Sequence, residues 1–285
     1  SCNTARLPFA RLHQAGQALM LQTLSKPHRI AAAEPLSVSL ARDAAELREA
    51  QRLRYQVFCD ELGARLNTRE AGIDADMYDR WCDHLIVREH AGGRVIGTYR
   101  ILGPQSARNL GGYYSDEEFD LTRLDHLRAN MAELGRCCVH REYRNGVAIS
   151  LLWAGITQYM RQRGHTYLMG CASIGMSDGG ALATDVYHQL QAICPCPGEY
   201  RVFPRLDLPL YTAASLGAGQ IPPLINAYAR LGAWVCGAPA WDPDFNTADL
   251  LMLLPLSRLN PRYLRRFEQQ VTGSVLHTQL ERTQP

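Results

Sequence analysis

What this 285-residue sequence lacks narrows its function first. No apolar run approaches the roughly 18 residues that a membrane-spanning helix needs, so no span is expected. The N-terminal stretch has no compact apolar core of the kind a secretory signal carries, and none is expected here. Charge of one sign is not in excess: 30 Lys and Arg stand against 28 Asp and Glu, a formal net charge of +2. That balance argues against nucleic acid as a partner and leaves only local basic patches to consider. The nine cysteines are scattered, with no pair of C-x-x-C motifs, which excludes a zinc ribbon. Reduced thiols packed as small apolar groups are the expectation, with the chain in the cytoplasm. No repeat and no low-complexity tract is present. Hydrophobic residues at 46% and charged residues at 20% are those of a folded globular chain.

What is present is an alternation of strand-like and helix-like stretches. Residues 1–36 form an extension expected to be mobile; Leu7 to Leu24 carries only a weak amphipathic pattern, a possible membrane contact. Residues 37–270 form the folded unit, and 271–285 a C-terminal tail. A strand is expected over Leu36 to Leu40 and a helix from Ala44 to about Leu62, capped by Asp43. A hairpin, His84 to Val87 and Val95 to Leu102, turns at Gly92-Gly93. Further on come a strand at Leu134 to Val139, a helix at Ala148 to Gly164, a strand at Tyr167 to Cys171 and a helix over 181–199. Pro222 opens another helix, two strands follow at Ala233 to Cys236 and Leu250 to Pro255, and Arg258 to Gln270 is a basic amphipathic helix. Strands outnumber the helices that interrupt them, which gives an α/β or α+β sheet with helices on its faces.

The centre of the chain is Glu133 to Gly155. A strand ends in the polar turn His140 to Gly146 and a helix begins. That order presents unpaired N–H groups and partial positive charge to an anion. On a flat strand Glu133 and Arg136 face opposite ways. Gly135 between them suits a bulge, and one extra residue there turns both side chains to one site. Arg54 and Arg100 sit on or beside apolar faces, where a charge needs a partner. The loop from Gly63 to Trp81 carries Glu70, Asp74, Asp76 and Asp79. It is either a solvated acidic run or an acceptor site for a cationic amine. The acids Asp116 to Glu118 are read as surface. Asp242, Asp244 and Asp249 are a candidate metal cluster, but turn chemistry accounts for the first two more simply, and no metal site is expected.

The element order resembles the GCN5-related N-acetyltransferase (GNAT) fold, a mixed central sheet flanked by helices on both faces. Tyr143 to Ala148 stands where that family carries its R/Q-x-x-G-x-G/A turn, with Arg144 to Gly146 one residue shorter. Arg54-x-x-x-Phe58, Asp74-x-Asp76-x-Tyr78-Asp79, Gly97-x-x-Arg100 and Glu133-x-x-Arg136 resemble, in that order, the acyl-homoserine lactone synthases. The wording of Arg54 to Gly63, of Cys137 to Trp153 and of Pro222 through Asp242-Pro-Asp-Phe-Asn-Thr247 is nearer to the ornithine N-acyltransferases of bacterial ornithine-lipid synthesis. That last resemblance covers about residues 37–267. It implies transfer of a 3-hydroxyacyl chain from acyl carrier protein to the α-amine of L-ornithine, giving lyso-ornithine lipid.

The residues suit that chemistry. An α-amine must lose a proton before it attacks a thioester, and Glu133, directly or through a water, is the expected general base; the alternative is a structural salt bridge from Glu133 to Arg136 or Arg100. Backbone N–H groups near Gly135 would hold the oxyanion. Arg54, Arg100 and Arg136 either position a substrate carboxylate or tie the acidic loop down; Asp76 and Asp79 either meet ornithine ammonium groups or pair with those arginines. Val139, Arg141, Arg144, Asn145 and Gly146 are expected to bind the acyl donor, with Arg141 and Arg144 at its pantetheine phosphate; Arg161 and Arg163, at the far end of the same helix, either extend that basic rim or are plain solvated charges. No cofactor is expected beyond the phosphopantetheine arm that arrives with acyl carrier protein. Other readings are an amine N-acyltransferase with another acceptor or an acyl-CoA donor, such as a lactone synthase, and a non-catalytic module that binds acyl carriers. A product that is a lipid suggests loose contact with the inner membrane.

Overall fold

The computed structural model describes residues 36–61, 64, 69–89, 93–210, 219–243 and 246–271. The N-terminal extension, its amphipathic stretch, Gly92 of the hairpin turn, Asp244 and nearly all of the C-terminal tail lie outside the described residues.

The first elements are β1 (Leu36–Leu40) and helix α1 (Ala44–Tyr55). The Asp43 side chain accepts a hydrogen bond from the Glu46 amide, and the Glu46 carboxylate accepts one from the Arg42 amide, so two otherwise orphaned donors are capped. α1 is shorter than its sequence suggests. From Gln56 to Glu61 the helix widens into a π-type turn, a local insertion that occurs often beside functional sites. The hairpin β2 (Asp83–Glu89) and β3 (Val95–Leu102) falls where expected, and β3 is buried throughout. A helix absent from the sequence expectations, α2 (Pro104–Leu110), follows with Pro at its first position. Two short strands, β4 (Phe119–Asp120) and β7 (Phe203–Pro204), pair in a separate ribbon.

The central strand β5 (Met131–Val139) is longer than the apolar run alone suggests and takes Glu133 into its interior. Helix α3 (Val147–Arg163) is nearly all buried and stops at Gly164 in the left-handed conformation. Strand β6 (Tyr167–Gly175), helix α4 (Ala181–Ile193) and helix α5 (Pro223–Leu231) come next. The chain continues through β8 (Trp234–Val235), β9 (Ala240–Asp242), β10 (Thr247–Pro255) and helix α6 (Pro261–Val271).

Among the described residues one mixed sheet runs β1-β2-β3-β5-β6-β10-β8, with β9 added on β10. β5 and β6 are parallel; the other ladders are antiparallel. Alternation along each strand divides the core in two. On one face Leu85, Tyr99, Ile101, Leu134, Leu168, Leu250 and Met252 pack with α3, α4, α5 and α6. On the other, Leu102, Met131, Met169, Leu251 and Leu253 pack beneath Phe119, Leu121 and Leu124, while α1 covers Ile86 and Cys138. The expected mixed sheet between two helical layers is therefore present. No helix among the described residues is long and apolar enough to cross a membrane.

The site is positioned by a wedge between β5 and β6. Their pairing covers Met131↔Tyr167, Ala132↔Leu168 and Glu133↔Met169 and then stops, although both strands run on. Gly170 stands at the apex: a Cβ there would lie 2.9 Å from the Leu134 carbonyl oxygen. Gly170→Ala must therefore push the strands apart. Its expected cost is about 1–3 kcal/mol, measured as a fall in the denaturant midpoint at unchanged slope.

Candidate active site

Glu133 opens the site. Its side chain is buried, at 6% exposure, and points to the sheet face under residues 104–130. Three donors meet its carboxylate: the Tyr114 amide at 2.7 Å, the Ser115 amide at 2.8 Å and the Ser115 hydroxyl at 2.5 Å. Burial pushes its pKa up, and the Ser115 and Tyr114 donors and the Arg100 charge pull in the opposite direction. The result is a carboxylate that is a stronger base than a solvated one yet held in a single orientation. Neither Arg100 nor Arg136 forms its ion pairs with Glu133; both turn to the acidic loop.

The bulge exists, one residue later than expected. Thr98 pairs with Cys138 and Arg100 with Gly135, so Arg136 and Cys137 together stand across from Tyr99. Arg136, not Gly135, takes the left-handed backbone, at φ 52°. Such a conformation costs a non-glycine residue about 1–2 kcal/mol, and here the Arg136 side chain is anchored by ions. The extra residue does what the spacing suggested: Glu133 and Arg136 both reach the same face.

The acidic loop is tied down rather than solvated. Arg54, fully buried at 0% exposure, donates to Asp74 at 2.9 Å, to the Asp74 carbonyl at 2.6 Å and to both Asp79 oxygens at 2.9 Å. Arg100 donates to Asp76 at 2.6 and 2.7 Å and to Asp79 at 2.9 Å. Arg136 reaches Asp76 at 3.1 Å and Asp74 at 3.5 Å. Three guanidinium groups thus match three carboxylates, and Gln51 adds a fourth donor to Asp79. Burial opposes the ionised forms of Asp76 and Asp79, but the arginines override it and hold both pKa values below the usual carboxylate range. Of the two readings left open by the sequence, the pairing of Asp76 and Asp79 with arginines is the one observed.

The turn after β5 also differs in detail. Arg144 points inward, donating to the Val139 carbonyl at 2.9 Å and to Glu61 at 2.6 Å. The π-type turn is what brings Glu61 there. Arg141 and Asn145 lie at the surface of the turn, and Gly146 begins α3 at φ 92°. Asn145 accepts from the Val147 amide, and Arg141 is the turn's exposed cation, two residues past the end of β5. At the far end of α3, Arg163 lies over the Tyr159 ring and pairs with Asp83 at 3.4 Å.

Several site residues were not legible beforehand. Ser115 orients Glu133, and its hydroxyl lies 3.2 Å from the Cys171 thiol. Glu118, read as surface, has its carboxylate oxygens buried, and so does Asp249 on β10. With Asp242 they bring one oxygen each within 4.8 Å of one another. Burial pushes the carboxyls of Glu118 and Asp249 above the usual range, and the charge of Asp249 raises Glu118 further. Asp116 and Glu117 are occupied elsewhere, by Arg128 and by the Tyr78 hydroxyl. The sequence already singles out Asp249 with Asp242 as a candidate cluster; what it does not show is that Glu118 joins them.

Residues 53–154 match the family model of the acetyltransferase (GNAT) domain. The chain is 35% identical over 259 residues to the L-ornithine N(alpha)-acyltransferase of Brucella abortus, covering 84% of this chain and 91% of that protein. It is 36% identical over 256 residues to the enzyme of the same name from Rhodobacter capsulatus, covering 85% of this chain and 99% of that one. Among solved structures, the CoA-dependent acyl-homoserine lactone synthase BjaI superposes with a TM-score of 0.49 at 13% identity, over 88% of this chain and 95% of that one. On the strength of the sequence relatives, this chain is an acyltransferase of GNAT type and belongs to the L-ornithine N(alpha)-acyltransferase family.

Proposed function

We propose that the chain transfers a fatty acyl group, usually 3-hydroxylated, from acyl carrier protein to the α-amine of L-ornithine, giving lyso-ornithine lipid as the first step of ornithine-lipid synthesis. The observation that carries this reading is a buried, donor-held carboxylate, Glu133, at the apex of a wedge between parallel strands. The acyl thioester enters the wedge, and the amine arrives from the face that Ser115 and Glu133 share. The nitrogen forms its bond to the carbonyl carbon while the C–S bond breaks and the electron pair leaves on sulfur. The neutral amine's proton passes to the Ser115 oxygen as the Ser115 hydroxyl proton passes to Glu133, and Glu133 then gives that proton up to the departing thiolate sulfur, which restores the carboxylate. Backbone N–H groups at the Arg136 bulge hold the oxyanion.

No resident cofactor takes part, since the pantetheine arm belongs to the donor. Acyl carrier protein is acidic, and Arg141, exposed just past the end of β5, is the cation that would meet its phosphate. Residues 37–270 act as one catalytic unit in the cytoplasm, and contact with the inner membrane follows only from where the lipid product goes. Mass spectrometry of lipid extracts from cells making the chain is expected to show a new ornithine-containing lyso-lipid. Purified protein offered acyl carrier protein and CoA thioesters of the same chain is expected to favour the carrier protein; equal rates would remove that donor from the reading.

A further inference from the structure

Glu118, Asp242 and Asp249 come from three separated segments: the residue before β4, the end of β9 and the start of β10. One oxygen from each lies within 4.8 Å of the others. Asp249 is only 4% exposed; the Ser173 and Thr247 hydroxyls act on its carboxylate, but its Oδ1 has no hydrogen-bond partner. Both Glu118 oxygens are also buried without one. Buried carboxylates left unpaired are costly, and native proteins relieve that cost with a proton or a cation. The other buried acids near Glu133 are already matched, because Asp74, Asp76 and Asp79 hold Arg54, Arg100 and Arg136. The Glu118 and Asp249 carboxylates are also close to the reacting end. Ser115 donates to Glu133 and sits 3.2 Å from the Cys171 thiol, and the charges of Glu118 and Asp249 are the foremost acting on that thiol.

We propose that Glu118, Asp242 and Asp249 bind the terminal ammonium of a diamino-acid acceptor, and so select it over amino acids that lack one. This rests on the N-acyltransferase reading above. An ammonium has three N–H donors, and the cluster offers three carboxylates from different directions. A side chain of three carbons places its terminal nitrogen about 5 Å from Cα, so an acceptor whose α-amine lies at Ser115 can extend past Cys171 to the cluster. The cluster recognises the far end of the acceptor and takes no part in the proton transfer at Glu133.

The test compares L-ornithine with L-norvaline, which has the same carbon chain and no terminal amine. Amide formation is followed by mass spectrometry with the acyl donor fixed. The kcat/KM ratio of ornithine to norvaline is expected to exceed about 100, because a site built for a polar group rejects the analogue without it. Glu118→Gln and Asp249→Asn are each expected to cut that ratio about tenfold or more, chiefly through KM for ornithine. An unchanged ratio in both variants overturns the subsite. Calorimetric titration of ornithine into the three proteins supplies a readout independent of turnover, with weaker binding expected in both variants. If no amine is acylated from either donor, the enzymatic reading fails instead, and loss of ornithine binding in the variants still supports the subsite. Binding of magnesium or calcium that competes with ornithine and disappears in Asp249→Asn overturns the proposal in favour of a metal site.

Discussion

Glu133→Gln is expected to lower kcat by about 10²–10⁴-fold, the range of a lost general base. The change preserves shape and one acceptor oxygen. It also turns an NH2 group toward either the Tyr114 amide or the Ser115 donors, so at least one of three hydrogen bonds is lost. The accompanying fall in stability is expected at about 1–3 kcal/mol, and folding must be checked alongside the rate. The pH profile separates the two effects. Burial raises the Glu133 pKa above the ordinary carboxylate value. The wild-type rate should therefore fall as pH drops through that raised value, because only the ionised form accepts a proton. In Glu133→Gln this acid limb should disappear from the residual activity. A variant that keeps the wild-type rate and the same limb would show that the base lies elsewhere.

Asp79→Asn is expected to have the largest effect on stability. Asp79 accepts from Arg54, Arg100 and Gln51 at once, and both guanidinium groups are buried. Removing its charge leaves an excess positive charge where water cannot reach, a loss of about 3–5 kcal/mol for a broken buried pair. Domains of ordinary stability hold only about 5–15 kcal/mol in total, so urea midpoints should move far. The pH dependence has a definite sign. The folded-state pKa values of Asp76 and Asp79 lie below their unfolded values. Their contribution is thus complete above the unfolded carboxylate pKa, about 3.9, and is lost as pH falls through the folded values. Wild-type protein should lose stability progressively below about pH 4, and Asp79→Asn should lose less over the same interval because one contributor is already gone. Equal stability of the two proteins at neutral pH would show that Asp79 is not what holds the loop.

The order of elements was readable because its causes are local. Apolar spacing of two or 3.6, the Asp43 cap and the stops at Gly164 and Gly232 each act within a few residues, and Pro222, expected to open its helix, stands one residue before it as the cap. The errors have physical reasons. α1 was read too long because a π-type turn keeps helical spacing while changing pitch. β5 was read too short because Glu133 breaks the apolar run, although its carboxylate is satisfied by Tyr114 and Ser115 from a neighbouring segment. Arg144 was read as facing the donor because nothing local shows that Glu61 comes to meet it.

By itself the sequence determined the alternation of strands and helices, the presence of a bulge beside Gly135 and the set of arginines and aspartates that had to find one another. Only the tertiary structure decided which partner each charge took, that Glu133 is oriented by Ser115, and that Glu118 and Asp249 face each other. Hydrogen bonds within a helix or turn depend on residues a few positions apart, whereas the meeting of buried charges depends on sheet register and on how long loops cross the sheet. Those distances are set by packing, and no pattern along the chain records them.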